Sequence, residues 1–131
     1  MSTAAIRFRE LHLATEVFVM PNAWDAGSAM LLTQLGFKAL GTTSAGLAFG
    51  LGRPDAEGMV SRDEALDNLS AIAAATHLPV DGDLEAGYGR SLAEVAATYA
   101  CAVELGAAGA GIEDATGRKD RPLYEVEEAV A

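Results

Sequence analysis

Four short apolar runs, each followed by a segment of helical pattern, do most to limit the fold open to this chain. "VFVM" (17–20) ends at Pro21-Asn22, and "WDAGSAMLLTQLG" (24–36) then spaces apolar residues helically and closes on Gly36. "FKALGTT" (37–43) returns as a strand. Ser61 and Glu64 form a capping box ahead of a helix whose Ala65, Leu66, Leu69, Ile72 and Ala73 share one face. "VDGD" (80–83) follows Pro79, Ser91 and Glu94 repeat the capping box, and "AAGAGIED" (107–114) is the fourth strand after Gly106. A first helix is expected over about residues 3–15, and the glycine-rich "SAGLAFGLGRPDAEGM" (44–59) reads as a loop.

Such alternation with short connections implies a parallel sheet with helices packed outside it, an α/β fold. A doubly wound sheet and a (β/α) barrel both fit. No Pro/Ser-rich linker divides the 131 residues, so 1–131 read as one domain or part of one.

Charge narrows the partners. With 19 acidic against 9 basic residues, the formal net charge is −10. Such a surface repels phosphate backbones and anionic lipid, so neither nucleic acid nor membrane is expected as a partner. No run approaches the ~18 apolar residues of a membrane span, and "MSTAAIRFRELHLATE" lacks the apolar core of a signal peptide. The single cysteine, Cys101, excludes an internal disulfide and reads as a small core residue. A cytoplasmic protein is expected.

The acids fall where parallel α/β folds build their sites, at the carboxyl ends of strands. Asp81, Asp83, Glu85, Glu113 and Asp114 all lie at or just past such ends. Thr42, Thr43 and Ser44 end the second strand, and Asp55 sits in the loop after it. Converging carboxylates repel unless a cation joins them, and a hard divalent ion such as Mg²⁺ suits oxygen ligands. On a regular strand Asp83 and Glu85, two apart, face the same side, and Asp81 extends the row. Gly87 and Gly89 allow a close approach of backbone to ligand. Trp24 is expected to pack in the core and Asp25 to cap a helix. His12 and His77 show no metal-ligand spacing.

These residues resemble the N-terminal part of the isocitrate lyase/phosphoenolpyruvate mutase superfamily. The segments that carry the likeness are "PNAWDAGSAMLLTQLGFKALGTTSAG", "LGRPD", "DGDLEAGYG" and "AAGAGIED", in that order. The resemblance implies a (β/α)8 TIM barrel, of which this chain covers about the first four β/α units. It also implies Mg²⁺ and a small α-keto acid or phosphonate handled through an enolate. Asp83 matches the direct metal ligand, Glu85 an acid acting through water, and Glu113 the third acid of the set. Asp55 matches the acid of the second loop, with a role in water positioning, proton transfer or, as in mutase-like members, phosphoryl contact. Thr43, Ser44 and Ala45 match the segment that holds the substrate carboxylate. Asp81 has no clear counterpart and is expected to support the ligands from behind or to be structural.

Two departures shape the expectation. Lyase members carry a "K-[KR]-C-G-H" motif after "IED", whereas here "ATGRKDRPLYEVEEA" contains neither Cys nor His. Isocitrate or methylisocitrate cleavage by that route is therefore not expected. The region most resembles phosphonomutase-like or carboxyvinyl-carboxyphosphonate mutase-like members, and Lys119 reads as a solvated charge. A barrel of this kind also takes ~250 residues. The sequence is thus expected to be a truncated or incomplete barrel, or a half-barrel completed as a homo-oligomer, with metal binding outlasting catalysis. The competing functions are an oxaloacetate-type C–C hydrolase and a non-catalytic half-barrel that self-associates.

Overall fold

The computed structural model describes residues 2–56 and 58–130. Helix α1 (Thr3–Leu13) starts at Ser2, whose hydroxyl accepts from Ala5 N at 3.1 Å. Helix α2 (Ala26–Gln34) starts at Asp25, which accepts from Ser28 N at 2.7 Å while the Ser28 hydroxyl accepts from Asp25 N. Asp25 is thus the cap that its place in the sequence suggests. Strand β1 (Leu40–Gly41) leads into helix α3 (Ser44–Gly50), and helix α4 (Arg62–Ala75) leads into strand β2 (Val80–Asp83). Helix α5 (Leu92–Glu104) then precedes strand β3 (Gly109–Gly111). The capping boxes at Ser61/Glu64 and Ser91/Glu94 are both formed.

The three strands pair in parallel in the order β1-β2-β3, with Leu40 opposite Val80 and Asp83 opposite Gly111. A parallel bridge between Asn22 and Gly41 adds a fourth run on the far side of β1. Each new strand therefore joins the same side of the sheet as the chain advances. A doubly wound sheet reverses strand order at its switch point, whereas a barrel winds one way throughout. This is the winding of a partial (β/α) barrel.

Two segments differ from the sequence reading. The apolar run 17–20 forms no strand: Val17 is 96% exposed, and pairing is shifted to residues 21–23. There Pro21 offers its carbonyl to Gly41 N at 2.9 Å, and Ala23 N donates to Gly41 O at 2.8 Å. Proline lacks an N–H but not an acceptor, so it can take part in the ladder from one side only. The expected loop 44–59 opens with α3, because the Thr43 hydroxyl caps it by accepting from Gly46 N at 3.2 Å. After "IED" the chain forms an antiparallel hairpin, β4 (Ala115–Arg118) and β5 (Arg121–Leu123), then a short helix, α6 (Val126–Ala129).

The core lies between the sheet and the helices. Leu40, Val80 and Leu84 meet Leu69 and Ile72 of α4, with Ala29 of α2 and Ala102 of α5 closing the gaps. Each fully buried Leu or Ile contributes about 1.5–3 kcal/mol. The face expected for α4 is the one buried. Cys101 packs half-buried against this core, whereas Trp24 stays 50% exposed beside Phe49. The other face of β2 carries Asp81 and Asp83, and α1 lies against it. A Cβ on Gly109 would sit 2.5 Å from Phe8 Cε1 and 2.6 Å from Asp81 Oδ1, so only glycine permits this approach. Among the described residues no helix is long and apolar enough to cross a membrane.

Candidate active site

The carboxyl ends of β1 and β2 are tied together by side chains as well as by the ladder. Thr42 N donates to Asp81 O at 2.9 Å, and Asp83 N donates to the buried Thr42 Oγ1 at 2.8 Å. Ser44, the first residue of α3, then turns its N–H (2.8 Å) and its hydroxyl (2.9 Å) onto Asp83 Oδ2. The sheet edge, the helix start and the acid form one unit.

Beyond Asp83 the pleat stops. Leu84 is buried, and Glu85 adopts φ +47°, in the left-handed region. Gly87 follows at +86° and Tyr88 at +54°. A non-glycine residue there costs about 1–2 kcal/mol, and Glu85 N bonding Asp83 Oδ1 at 3.3 Å offsets part of it. Strand alternation therefore does not set the direction of Glu85; a left-handed turn does. Glu113 N donates to Glu85 O at 2.9 Å, which fastens the end of β3 to this turn. Gly89 is needed here because a Cβ would lie 2.6 Å from the backbone N of Val95.

A cavity of about 430 Å³ opens above these ends, lined by Ser44, Ala45, Asp55, Asp83, Glu85 and Glu113. Ala56, Ala86 and two hairpin residues, Ala115 and Gly117, complete it. The structure thus brings together the four acids expected at the site. Thr43 stays outside the lining with its hydroxyl spent on the α3 cap. Asp81 also lies below the cavity. Lys119 sits in the turn between β4 and β5, away from the lining, as a solvated charge would.

Four carboxylates and no Lys, Arg or His line this space. Burial first, and then the charges of Asp83, Asp55 and Asp114, push the Glu113 carboxyl above its ordinary pKa. Burial also raises Asp81, opposed by His12 and reinforced by Asp83. The Tyr88 hydroxyl is buried beside the Glu85 carboxylate. Its pKa is held well above that of a free phenol by burial, with the nearby Glu85 carboxylate adding to the effect.

Among the described residues no three Asp, Glu, His or Cys side chains form a ready-made metal cage. Mg²⁺ takes hard oxygen ligands, keeps several waters and is commonly held by one or two protein carboxylates plus substrate oxygens. The donor set is hard oxygen, and its mutual repulsion favours a cation.

Two supporting residues escaped the sequence reading. Tyr99 of α5 donates from its hydroxyl to Gly111 O at 2.6 Å and braces the end of β3. Arg53 ties the loop that carries Asp55 to the first turn of α4 through Glu64. In sequence Tyr99 is one apolar helix residue among many, and the Arg53–Glu64 spacing of eleven has no local signature.

A sequence model of the phosphoenolpyruvate phosphomutase family matches residues 8–131. The 2-methylisocitrate lyase of Halalkalibacterium halodurans is 34% identical over 110 residues, 84% of this chain and 36% of that protein. A crystal structure of a proposed lyase/mutase from Burkholderia cenocepacia J2315 superposes with a TM-score of 0.90 at 49% identity. It covers 95% of this chain and 44% of its own. An oxaloacetate acetylhydrolase solved with its product oxalate gives 0.85 at 31%, over 96% of this chain and 45% of that one. The chain spans less than half the length of these relatives.

Proposed function

Since the chain belongs to the phosphoenolpyruvate phosphomutase family, within the isocitrate lyase/phosphoenolpyruvate mutase superfamily, we propose that its acid-lined cavity handles a small α-keto acid or phosphonate with Mg²⁺. The observation that carries this reading is the convergence of Asp55, Asp83, Glu85 and Glu113 on one cavity that no basic side chain lines. Asp83 would hold the cation directly, with Glu85 and Glu113 acting through bound water. When bound, Mg²⁺ stabilises the charge that develops on an enolate oxygen as a C–C or P–C bond breaks.

The chain's own residues divide the remaining work. Ala45, beside Ser44 at the start of α3, offers small-residue backbone to the substrate carboxylate. Asp55, across the cavity, positions water or moves a proton. The hairpin β4–β5 adds Ala115 and Gly117 to one wall of the space. Because residues 115–130 include no Cys or His, the acid/base step of the lyase members has no equivalent in that segment. This favours phosphonate or keto-acid chemistry over methylisocitrate cleavage.

A second reading, an oxaloacetate-type C–C hydrolase, draws support from the 31% likeness to the oxaloacetate acetylhydrolase. Mg²⁺ titration calorimetry on wild type and Asp83→Ala, followed by assays with oxaloacetate, phosphonopyruvate and phosphoenolpyruvate, tests both. Binding lost in the variant supports the metal site common to both readings, and turnover of either phosphorus compound supports the phosphonate branch of the first. Turnover of oxaloacetate alone supports the second. No Mg²⁺ binding, with large assemblies by light scattering, would replace both with a self-associating, non-catalytic protein.

A further inference from the structure

The two oxygens of Asp83 are not equivalent. Oδ2 accepts from the Ser44 N–H at 2.8 Å and from the Ser44 hydroxyl at 2.9 Å, so one residue fills its lone-pair directions. Oδ1 accepts a single longer bond, 3.3 Å, from Glu85 N and so keeps acceptor capacity, on a residue that lines the cavity. On the backbone side, Asp83 N is held by the buried Thr42 hydroxyl at 2.8 Å. The carboxylate is fixed from behind and from one flank.

By resemblance Ser44 belongs to the group that grips the substrate carboxylate, yet its hydroxyl and its N–H both serve Asp83. We propose that Ser44 is a positioning residue for the cation: it saturates Oδ2 so that Asp83 presents Oδ1 alone and binds Mg²⁺ through one oxygen. This rests on the reading of Asp83 as the metal ligand. The chemistry agrees, because Mg²⁺ demands near-octahedral geometry at short distance, which a carboxylate bound through both oxygens distorts. Losing a group that orients a ligand from behind typically costs about 10–100-fold in metal affinity or activity. Two bonds from one residue also fix the Asp83 rotamer before the ion arrives, so less side-chain freedom is lost on binding.

The test is Mg²⁺ titration calorimetry on the wild-type protein and on Ser44→Ala, Ser44→Thr and Asp83→Asn. Thermal unfolding of each in chelator runs alongside. Ser44→Ala is expected to weaken the Mg²⁺ Kd by about 10-fold or more, the usual effect of losing such a partner. Its unfolding temperature in chelator should stay near wild type, and Ser44→Thr, which keeps the hydroxyl, should recover most of the affinity. If Ser44→Ala fails to fold, Ser44→Cys, with its weaker donor, carries the same expectation. Asp83→Asn losing Mg²⁺ binding while Ser44→Ala keeps the wild-type Kd overturns this inference alone. Asp83→Asn binding as tightly as wild type, or a wild-type protein that binds no Mg²⁺, overturns the metal reading and this inference with it.

Discussion

Arg53 and Glu64 meet in two parallel hydrogen bonds of 2.8 Å, Nη1 to Oε2 and Nη2 to Oε1. Arg53 Nη1 also reaches Met59 O at 2.8 Å, and Ser61 donates from its N–H and its hydroxyl to Glu64 Oε2. The loop bearing Asp55 is therefore strapped at both ends to the start of α4. A planar fork against a carboxylate is among the more specific ion pairs.

That strap makes the loop sensitive to acid. The Arg53 guanidinium, with help from Ser61, lowers the Glu64 pKa to about 2. A depressed carboxyl stabilises the fold above its unfolded pKa and loses that contribution as pH falls through the folded value. Wild type is thus expected to lose stability more steeply than Glu64→Gln between the ordinary glutamate range and pH 2. Thermal unfolding across that range checks it, and parallel slopes for the two proteins would sink the idea. Because the pair is partly exposed, added salt should shrink the difference.

Glu113 carries the opposite sign. Its pKa is raised by burial and by the charges of Asp83, Asp55 and Asp114. A carboxyl with a raised folded pKa contributes fully below its unfolded pKa and loses the contribution as pH rises through the folded one. In chelator at neutral pH, Glu113→Gln should therefore unfold at a slightly higher temperature than wild type, with the gap closing in acid and shrinking in added salt, because the residue is exposed. Mg²⁺ at neutral pH should narrow the gap by stabilising wild type more. A variant less stable than wild type in chelator at neutral pH contradicts this account.

Tyr88 offers a third check. Its buried hydroxyl faces the Glu85 carboxylate and meets it outside ordinary hydrogen-bond geometry. A hydroxyl held so loosely adds little, so Tyr88→Phe should change stability by less than about 1 kcal/mol. Urea denaturation of the two proteins measures it directly. A loss above about 1 kcal/mol would mean that the hydroxyl is bonded in solution.

Much of this architecture is visible in the residue pattern, for reasons that can be located. Capping boxes at Ser61/Glu64 and Ser91/Glu94 act within three residues, so they survive any tertiary context. The one-way order of the strands places Asp55, Asp83, Glu85 and Glu113 on one rim before any side chain is considered. The failures are tertiary. "VFVM" has strand composition, but pairing moved to Pro21–Ala23. "SAGLAFG" looks like a loop because of its glycines, yet Thr43 caps it as a helix and Trp24 leaves only glycine room at Gly46. Pleat alternation put Glu85 beside Asp83, whereas a positive φ does so in fact. Nothing local in the sequence announces that Ser44 will spend both donors on an acid 39 residues away.

The bond from Glu113 N to Glu85 O joins two acid-bearing segments through main chain alone. Substitution does not remove a peptide N–H unless the new residue is proline. Side chains around the rim can therefore be exchanged, and with them the molecules the rim accepts, while this bond goes on holding the two segments at one span.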